Sequence, residues 1–247
     1  TILELDTDLE AEDLVAQEDV VITLSHGGYI KRVPMALWRR RVSGGKAALA
    51  AERSTEDFLE HVFVASTRDV LVFFTSAGQA HALPVRDVPE GGRTSRGRAL
   101  AQLISVERDS RIAALVPVTE FSPERLLLFL TRSGIVKRTP LDQFANVRSG
   151  GINAIKIQSG DQLLDVQVSD GTSDVVLVTR DGRAIRFPET EAPVLGRTAQ
   201  GVKGIQLRGK DSIVGMVVVR REATLWTVTE NGYAKRKPIT EYPRQER

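Results

Sequence analysis

The chain alternates short apolar runs with glycine turns at a nearly constant interval. The runs "DVVITL", "DVLVFF", "RLLLFL", "DVVLVT" and "TLWTVT" each precede a glycine, at Gly28, Gly78, Gly134, Gly182 and Gly232, spaced by 50, 56, 48 and 50 residues. Runs of this length, rich in Val, Leu, Ile and Phe, predict buried strands rather than helices. The residue before each glycine makes the pairs GG, AG, SG, DG and NG. Asn-Gly and Asp-Gly favour two-residue hairpin turns in which both positions take positive φ, so each unit is predicted to contain a tight hairpin. Its second strand ends at Pro34, Pro84, Pro140, Pro188 or Pro238. Proline has no N–H for a ladder, which suits a strand end or an edge.

Two further runs complete the unit. One precedes each later hairpin ("HVFVAS" 61–66, "IAALVPV" 112–118, "LLDVQV" 163–168, "IVGMVVV" 213–219), and another follows a Gly/Arg-rich loop ("ALAQLI" 99–104, "INAIKI" 152–157, "VKGIQL" 202–207). Four strands at a period of about 50 residues predict an all-β, propeller-like array of four-stranded blades. Five units are visible. The fifth has no fourth strand before Arg247, which is expected of a ring truncated in or after its fifth blade, and the alternating "TILEL" at the start is a candidate closing strand. Residues 1–19 read as an acidic linker or closing strand and 20–247 as the blades.

Charge divides unevenly along this frame. The first 20 residues hold eight acidic side chains and no Lys or Arg, so the formal net charge of +2 conceals an excess of ten basic side chains in the remainder. Such an excess favours a polyanionic partner when it collects on one surface. It recurs in register: three residues after the turn glycines stand Lys31, His81, Lys137, Ile185 and Lys235, and four after stand Arg32, Ala82, Arg138, Arg186 and Arg236. Radial repetition turns these positions into a ring of cations. The loops after the prolines add "WRRRVSGGKAA" (38–48), "GGRTSRGRA" (91–99), "NVRSGGINA" (146–154) and "LGRTAQGVKG" (195–204). Glycine lets backbone approach a phosphate while Arg and Lys neutralise it. With only 5% aromatic residues there is no stacking ladder for single strands, so a duplex held by its backbone is the better match.

The expected phosphate contacts are Lys31, Arg32, Arg39, Arg40, Arg41, Lys46, Arg96, Arg98, Lys137, Arg138, Arg148, Arg186, Arg197, Lys203, Lys235 and Arg236, with Gly44 and Gly45 allowing close approach. A competing role for any one such cation is protection of a strand edge against aggregation. His26, His61 and His81 fall in unrelated positions and are expected in turns or at the surface rather than around a metal. Trp38 and Trp226 are expected to pack, although the three arginines beside Trp38 also suit a binding rim. The chain has no cysteine, which excludes disulfides and thiolate chemistry, and no P-loop or catalytic triad pattern. Its longest apolar run, "LLLFL" at 126–130, is far below the roughly 20 residues of a membrane span.

"EDVVITLSHGGYIKR" (18–32), "VPVTEF" (116–121), "TENGYAKR" (229–236) and "EYPRQER" (241–247) resemble the C-terminal domain of the DNA gyrase A protein. The resemblance runs over essentially the whole chain. It implies a β-pinwheel, whose blades exchange strands with their neighbours and usually number six. It further implies that duplex DNA wraps on the basic rim in support of ATP-dependent negative supercoiling. The partners implied are the catalytic part of gyrase A and the gyrase B protein; ATP and magnesium belong elsewhere in the holoenzyme, which works in the cytoplasm on the nucleoid. The family signature resembles Gln-Arg-Arg-Gly-Gly-Lys-Gly, against Arg39, Arg40, Arg41, Val42, Ser43, Gly44, Gly45, Lys46 and Ala47 here. That departure keeps open the related domain of topoisomerase IV, which bends without full wrapping. A protein-scaffold propeller and a propeller hydrolase are the readings from other classes; neither requires cations at one offset in successive hairpins.

Overall fold

The computed structural model describes residues 16–39, 57–107, 110–219 and 222–247, with Arg39 described by its backbone alone. Five antiparallel hairpins appear where the glycine pattern predicts them. They are β1 (Asp19–Ser25) with β2 (Tyr29–Pro34), β4 (Val70–Thr75) with β5 (Gln79–Pro84), and β8 (Leu126–Thr131) with β9 (Ile135–Pro140). The last two are β12 (Asp174–Thr179) with β13 (Ala184–Pro188), and β16 (Thr224–Val228) with β17 (Ala234–Pro238). Every second strand stops at its proline. After Pro34 a short helix, α1 (Met35–Arg39), follows, and after each of the other four a 3-10 turn.

The turns correct the two-residue expectation. Gly28, Gly78, Gly134, Gly182 and Gly232 have φ of +77° to +85°, while none of the described non-glycine residues has positive φ. Each of these glycines donates its N–H to the carbonyl three residues earlier, as Gly78 does to Thr75 at 2.9 Å. The connection is therefore a three-residue loop in which a turn of type I geometry is closed by a glycine bulge, and only one position needs glycine. This explains why Ala77 and Ser133 are tolerated where Asn or Asp would suit a two-residue turn.

Blades are assembled from two successive units. The strand preceding each later hairpin, namely β3 (Leu59–Ser66), β7 (Ile112–Val118), β11 (Leu163–Ser169) or β15 (Ile213–Val219), pairs with the first strand of the hairpin before it. The fourth strand is only two residues long: β6 (Arg98–Ala99), β10 (Ile152–Asn153) and β14 (Val202–Lys203). Each crosses to the second strand of the preceding hairpin, β2, β5 and β9 respectively. The resulting sheet orders are β3-β1-β2-β6, β10-β5-β4-β7 and β11-β8-β9-β14, followed by the three strands β13-β12-β15 and the pair β16-β17. The six-residue fourth strands expected from the apolar runs shorten because the chain turns inward after two residues. Ile155 and Ile205 pack against the turn glycines Gly78 and Gly134 of the neighbouring hairpin.

Strand β11 touches both β7 and β15, which puts these strands on the inner side of the array and β6, β10 and β14 on the opposite, outer edge. The core fills the spaces between blades. Phe74 and Phe129, from adjacent blades, meet edge-to-face at 5.4 Å, and Phe144 packs on both. A hairpin strand buried on both faces reads as a continuous apolar run, which is why "VLVFFT" lacks a period of two. The fifth hairpin is the exception: Trp226, expected to pack, is 67% exposed.

Candidate nucleic-acid interface

The cations three and four residues beyond the turn glycines serve two different purposes. Lys31 and Lys137 are buried, 2% and 0% exposed. Lys31 Nζ donates to the carbonyls of Gly92, Arg93 and Ser95 at 2.9, 2.8 and 2.7 Å. Lys137 Nζ donates to those of Ala154, Gly196 and Arg197 at 2.8, 2.9 and 3.0 Å, and lies 5.1 Å from the centroid of Phe129. An interior ammonium is tolerable only with its protons fully engaged. Burial, with the Arg197 charge nearby, lowers the Lys137 pKa to about 8. Neither ammonium faces solvent, so the phosphate contacts expected of Lys31 and Lys137 are corrected to contacts with loop carbonyls. His81 holds the same position in the second hairpin and is also buried, contrary to its expected surface role, with Nδ1 3.0 Å from the Ser149 carbonyl.

Arg32, Arg138 and Arg186 point their guanidinium groups along the next unit's loop. Arg32 Nε donates to Val88 O at 2.9 Å and its head group lies 3.5 Å from Glu90. Arg138, 8% exposed, donates from Nε to Ala192 O at 2.7 Å and from a terminal nitrogen to Thr190 O. Burial lowers its pKa against the opposing pull of Glu189. Arg186 pairs with Asp174 at 2.7 Å and donates to the carbonyls of Ile239 and Tyr242. All three backbones also form isolated parallel bridges to that loop, with Glu90, Val194 and Arg244. The recurrent offset read as a ring of cations is therefore chiefly a set of joints between successive units.

The solvent-facing cations sit on the loops that these joints hold. Arg96 and Arg98, flanking the positive-φ Gly97, are exposed, and Arg96 lies over the Tyr29 ring at 3.8 Å. Arg93, not singled out from the sequence, reaches within 5.9 Å of the half-buried Trp38 ring. Its signal was present in "GGRTSRGRA", but the tryptophan that orients it lies in the preceding unit. Arg148 is exposed, Arg197 is partly exposed, and Lys203 is exposed on the outer strand β14. Lys235 and Arg236 are exposed on β17. The expected contacts at Arg40, Arg41, Gly44, Gly45 and Lys46 lie outside the described residues, as does the side chain of Arg39.

Three glycines let the loops lie on the hairpins. A Cβ on Gly97 would stand 2.5 Å from Ile30 O, one on Gly201 2.5 Å from Val136 O, and one on Gly151 2.3 Å from the His81 ring. Each also has positive φ. The outer edge thus presents arginines and lysines on pinned glycine loops that recur in successive blades, at offsets from the glycine that differ from one loop to the next. Among the described residues, no group of three or more His, Asp or Glu side chains is arranged to hold a metal, and no helix is long and apolar enough to cross a membrane.

Strand exchange between four-stranded blades, together with basic loops repeated along one edge, defines a β-pinwheel with a cationic rim. Comparison with known proteins agrees. A family model described as "DNA gyrase C-terminal domain, beta-propeller" matches residues 19–36, 69–119, 125–170, 173–220 and 225–247, and the chain belongs to that family. The DNA gyrase A protein of Klebsiella oxytoca is 41% identical over 97% of the chain, and that of Escherichia coli strain K12 is 39% identical over 97%. The chain spans 27% of the length of each. Among solved structures, the C-terminal domain of DNA topoisomerase IV superposes with a TM-score of 0.79 at 30% identity, covering 95% of this chain and 72% of that one. A DNA gyrase A C-terminal domain superposes with a TM-score of 0.75 at 22% identity over 93% of this chain and 75% of that one, a likeness of fold.

Proposed function

We propose that this chain binds, bends and wraps duplex DNA on its outer rim, acting as the C-terminal domain of a gyrase A protein in ATP-dependent negative supercoiling. The observation that carries this reading is the placement of exposed Arg96, Arg98, Arg148 and Lys203 and the partly exposed Arg197 on equivalent loops and outer strands of successive blades. Such contacts are electrostatic and collective, and they neutralise phosphates without reading bases. Bending 20 to 30 base pairs by 40 to 90° costs on the order of 1 to 6 kcal/mol, so the bend calls for several blades acting together. DNA cleavage and ATP hydrolysis belong in this reading to the rest of gyrase A and to gyrase B, in the cytoplasm on the nucleoid. Residues 1–19 then serve as the linker to the catalytic part or as a closing strand.

A second reading is favoured by a specific observation. The altered stretch Arg39 to Ala47 and the 30% identity with the topoisomerase IV domain both suit a domain that bends DNA without wrapping it fully. Ligation of nicked plasmid in the presence of the chain separates the two. A positive shift in linking number that grows with protein and vanishes in high salt supports wrapping. Binding with no shift supports bending alone, and no binding to duplex at low salt refutes both.

A further inference from the structure

The buried cations at the hairpins have a use that surface charge does not explain. Lys31 and Lys137 each spend their ammonium on backbone carbonyls of the loop that brings the next unit's arginines to the rim: Gly92, Arg93 and Ser95 for one, Gly196 and Arg197 for the other. The two loops are held at the same places, five and four residues before the positive-φ glycines Gly97 and Gly201. Lysine stem and loop are in direct contact, since a Cβ on Gly97 would lie 3.2 Å from Lys31 Cβ. Loop length follows the side chain. The loop from Pro140 to Gly151, which meets the shorter His81, is two residues shorter than those from Pro84 to Gly97 and from Pro188 to Gly201, which meet lysines.

We propose that Lys31 and Lys137 are positioning residues for the DNA rim. Their interior ammonium groups hold the arginine-bearing loops 91–97 and 195–201 in the shape that meets the duplex, and His81 holds loop 146–151 in the same way. The inference rests on the reading of the rim as a DNA surface. Three convergent carbonyls make a socket for an N–H-bearing cation, and removing the lysine side chain beyond Cβ leaves that socket unfilled. The arginines then lose a pre-ordered backbone and must be ordered at the moment of binding.

The test uses the whole chain with Lys137→Ala and Lys31→Ala, each read by amide hydrogen exchange of the free protein and by duplex affinity across a salt series. Expected are faster exchange confined to 195–203 or to 91–99, and roughly tenfold weaker binding, the cost of ordering about two side chains anew. n-Propylammonium, which replaces the deleted atoms, restores protection and affinity, whereas tetramethylammonium at equal ionic strength, having no N–H, does not. Lys137→Met, which keeps most of the stem and lacks the charge, carries the same expectation should an alanine variant fail to fold. Unchanged exchange in both loops overturns the proposal, as do loosened loops with unaltered affinity. So does a salt slope that falls by about 0.9 with loop protection intact, because the lysine would then itself meet a phosphate. Absence of duplex binding by the unsubstituted chain would instead overturn the DNA reading, a result visible before any substitution is made.

Discussion

Substituting alanine for glycine at two positions separates backbone strain from the close approach that builds the rim. Gly201 and Gly182 both have positive φ, +105° and +81°. At Gly182, in the fourth hairpin turn, an added Cβ would meet nothing within 4 Å. Gly182→Ala therefore carries only the left-handed penalty, roughly 1–2 kcal/mol. At Gly201 the added Cβ would stand 2.5 Å from Val136 O and 3.1 Å from Ile135 Cγ2, so the loop must retreat by several tenths of an ångström from strand β9. That retreat pulls on the two-residue pairing of Val202 and Lys203 with β9 and on the carbonyls of Gly196 and Arg197 that hold Lys137. Losing two such hydrogen bonds, at about 0.5–1.5 kcal/mol each, adds roughly 1–3 kcal/mol to the conformational term. Gly201→Ala is thus expected to cost roughly 2–5 kcal/mol, released as local opening of 195–205. Amide exchange combined with urea unfolding measures both variants. Equal penalties at the two sites, or unchanged protection of 195–205 in Gly201→Ala, would refute the claim that this loop is built on backbone contact.

Other expectations follow from the charges. Asp174 is buried and accepts from Arg186 Nε at 2.7 Å and Arg244 Nε at 2.8 Å; burial by itself would raise its pKa, but these bonds outweigh it and hold the carboxyl below its ordinary value. Its contribution to stability is therefore present above the ordinary carboxylate range and lost as pH falls through the lowered value. Asp174→Ala should destabilise by about 3 kcal/mol at pH 7 and flatten the acid limb of a thermal-melt series relative to the unsubstituted chain. The Lys137 pKa of about 8 lies below the ordinary 10.5. The folded chain then binds fewer protons there than the unfolded one between those values, so this group's contribution to stability rises with pH across that window. By the same linkage, an opening of loop 195–201 that returns Lys137 to water is disfavoured as pH rises, so tryptic cleavage after Arg197, normalised to a free peptide, should slow above pH 8 in the unsubstituted chain but not in Lys137→Met. Arg96→Ala should weaken duplex binding alike for all sequences and reduce the salt slope by about 0.9, one phosphate contact. Phe129→Ala, which empties the space between the second and third blades, should cost about 3–5 kcal/mol in denaturant unfolding.

The repeat, the hairpins and their ends were legible in the order of residues alone. Local chemistry suffices there: a glycine is needed wherever a turn takes positive φ, a proline cannot continue a ladder, and a strand packed on both faces is apolar without alternation. The basic loops were equally legible, because Gly and Arg clusters such as 91–99 are local in the chain. Two matters depended on tertiary structure. Which strands share a blade was decided by packing between units: β6, β10 and β14 leave their own hairpins to join the preceding ones, a choice that no spacing along the chain expresses. Which cations face solvent was decided by what the next unit lays over them. Lys31 and Lys137 are buried beneath loop carbonyls, whereas Arg96 and Arg98, at one of those loops, face solvent. A lysine's residue type specifies three donors and a charge; whether they meet carbonyls or phosphates depends on chain that lies about 60 residues further on.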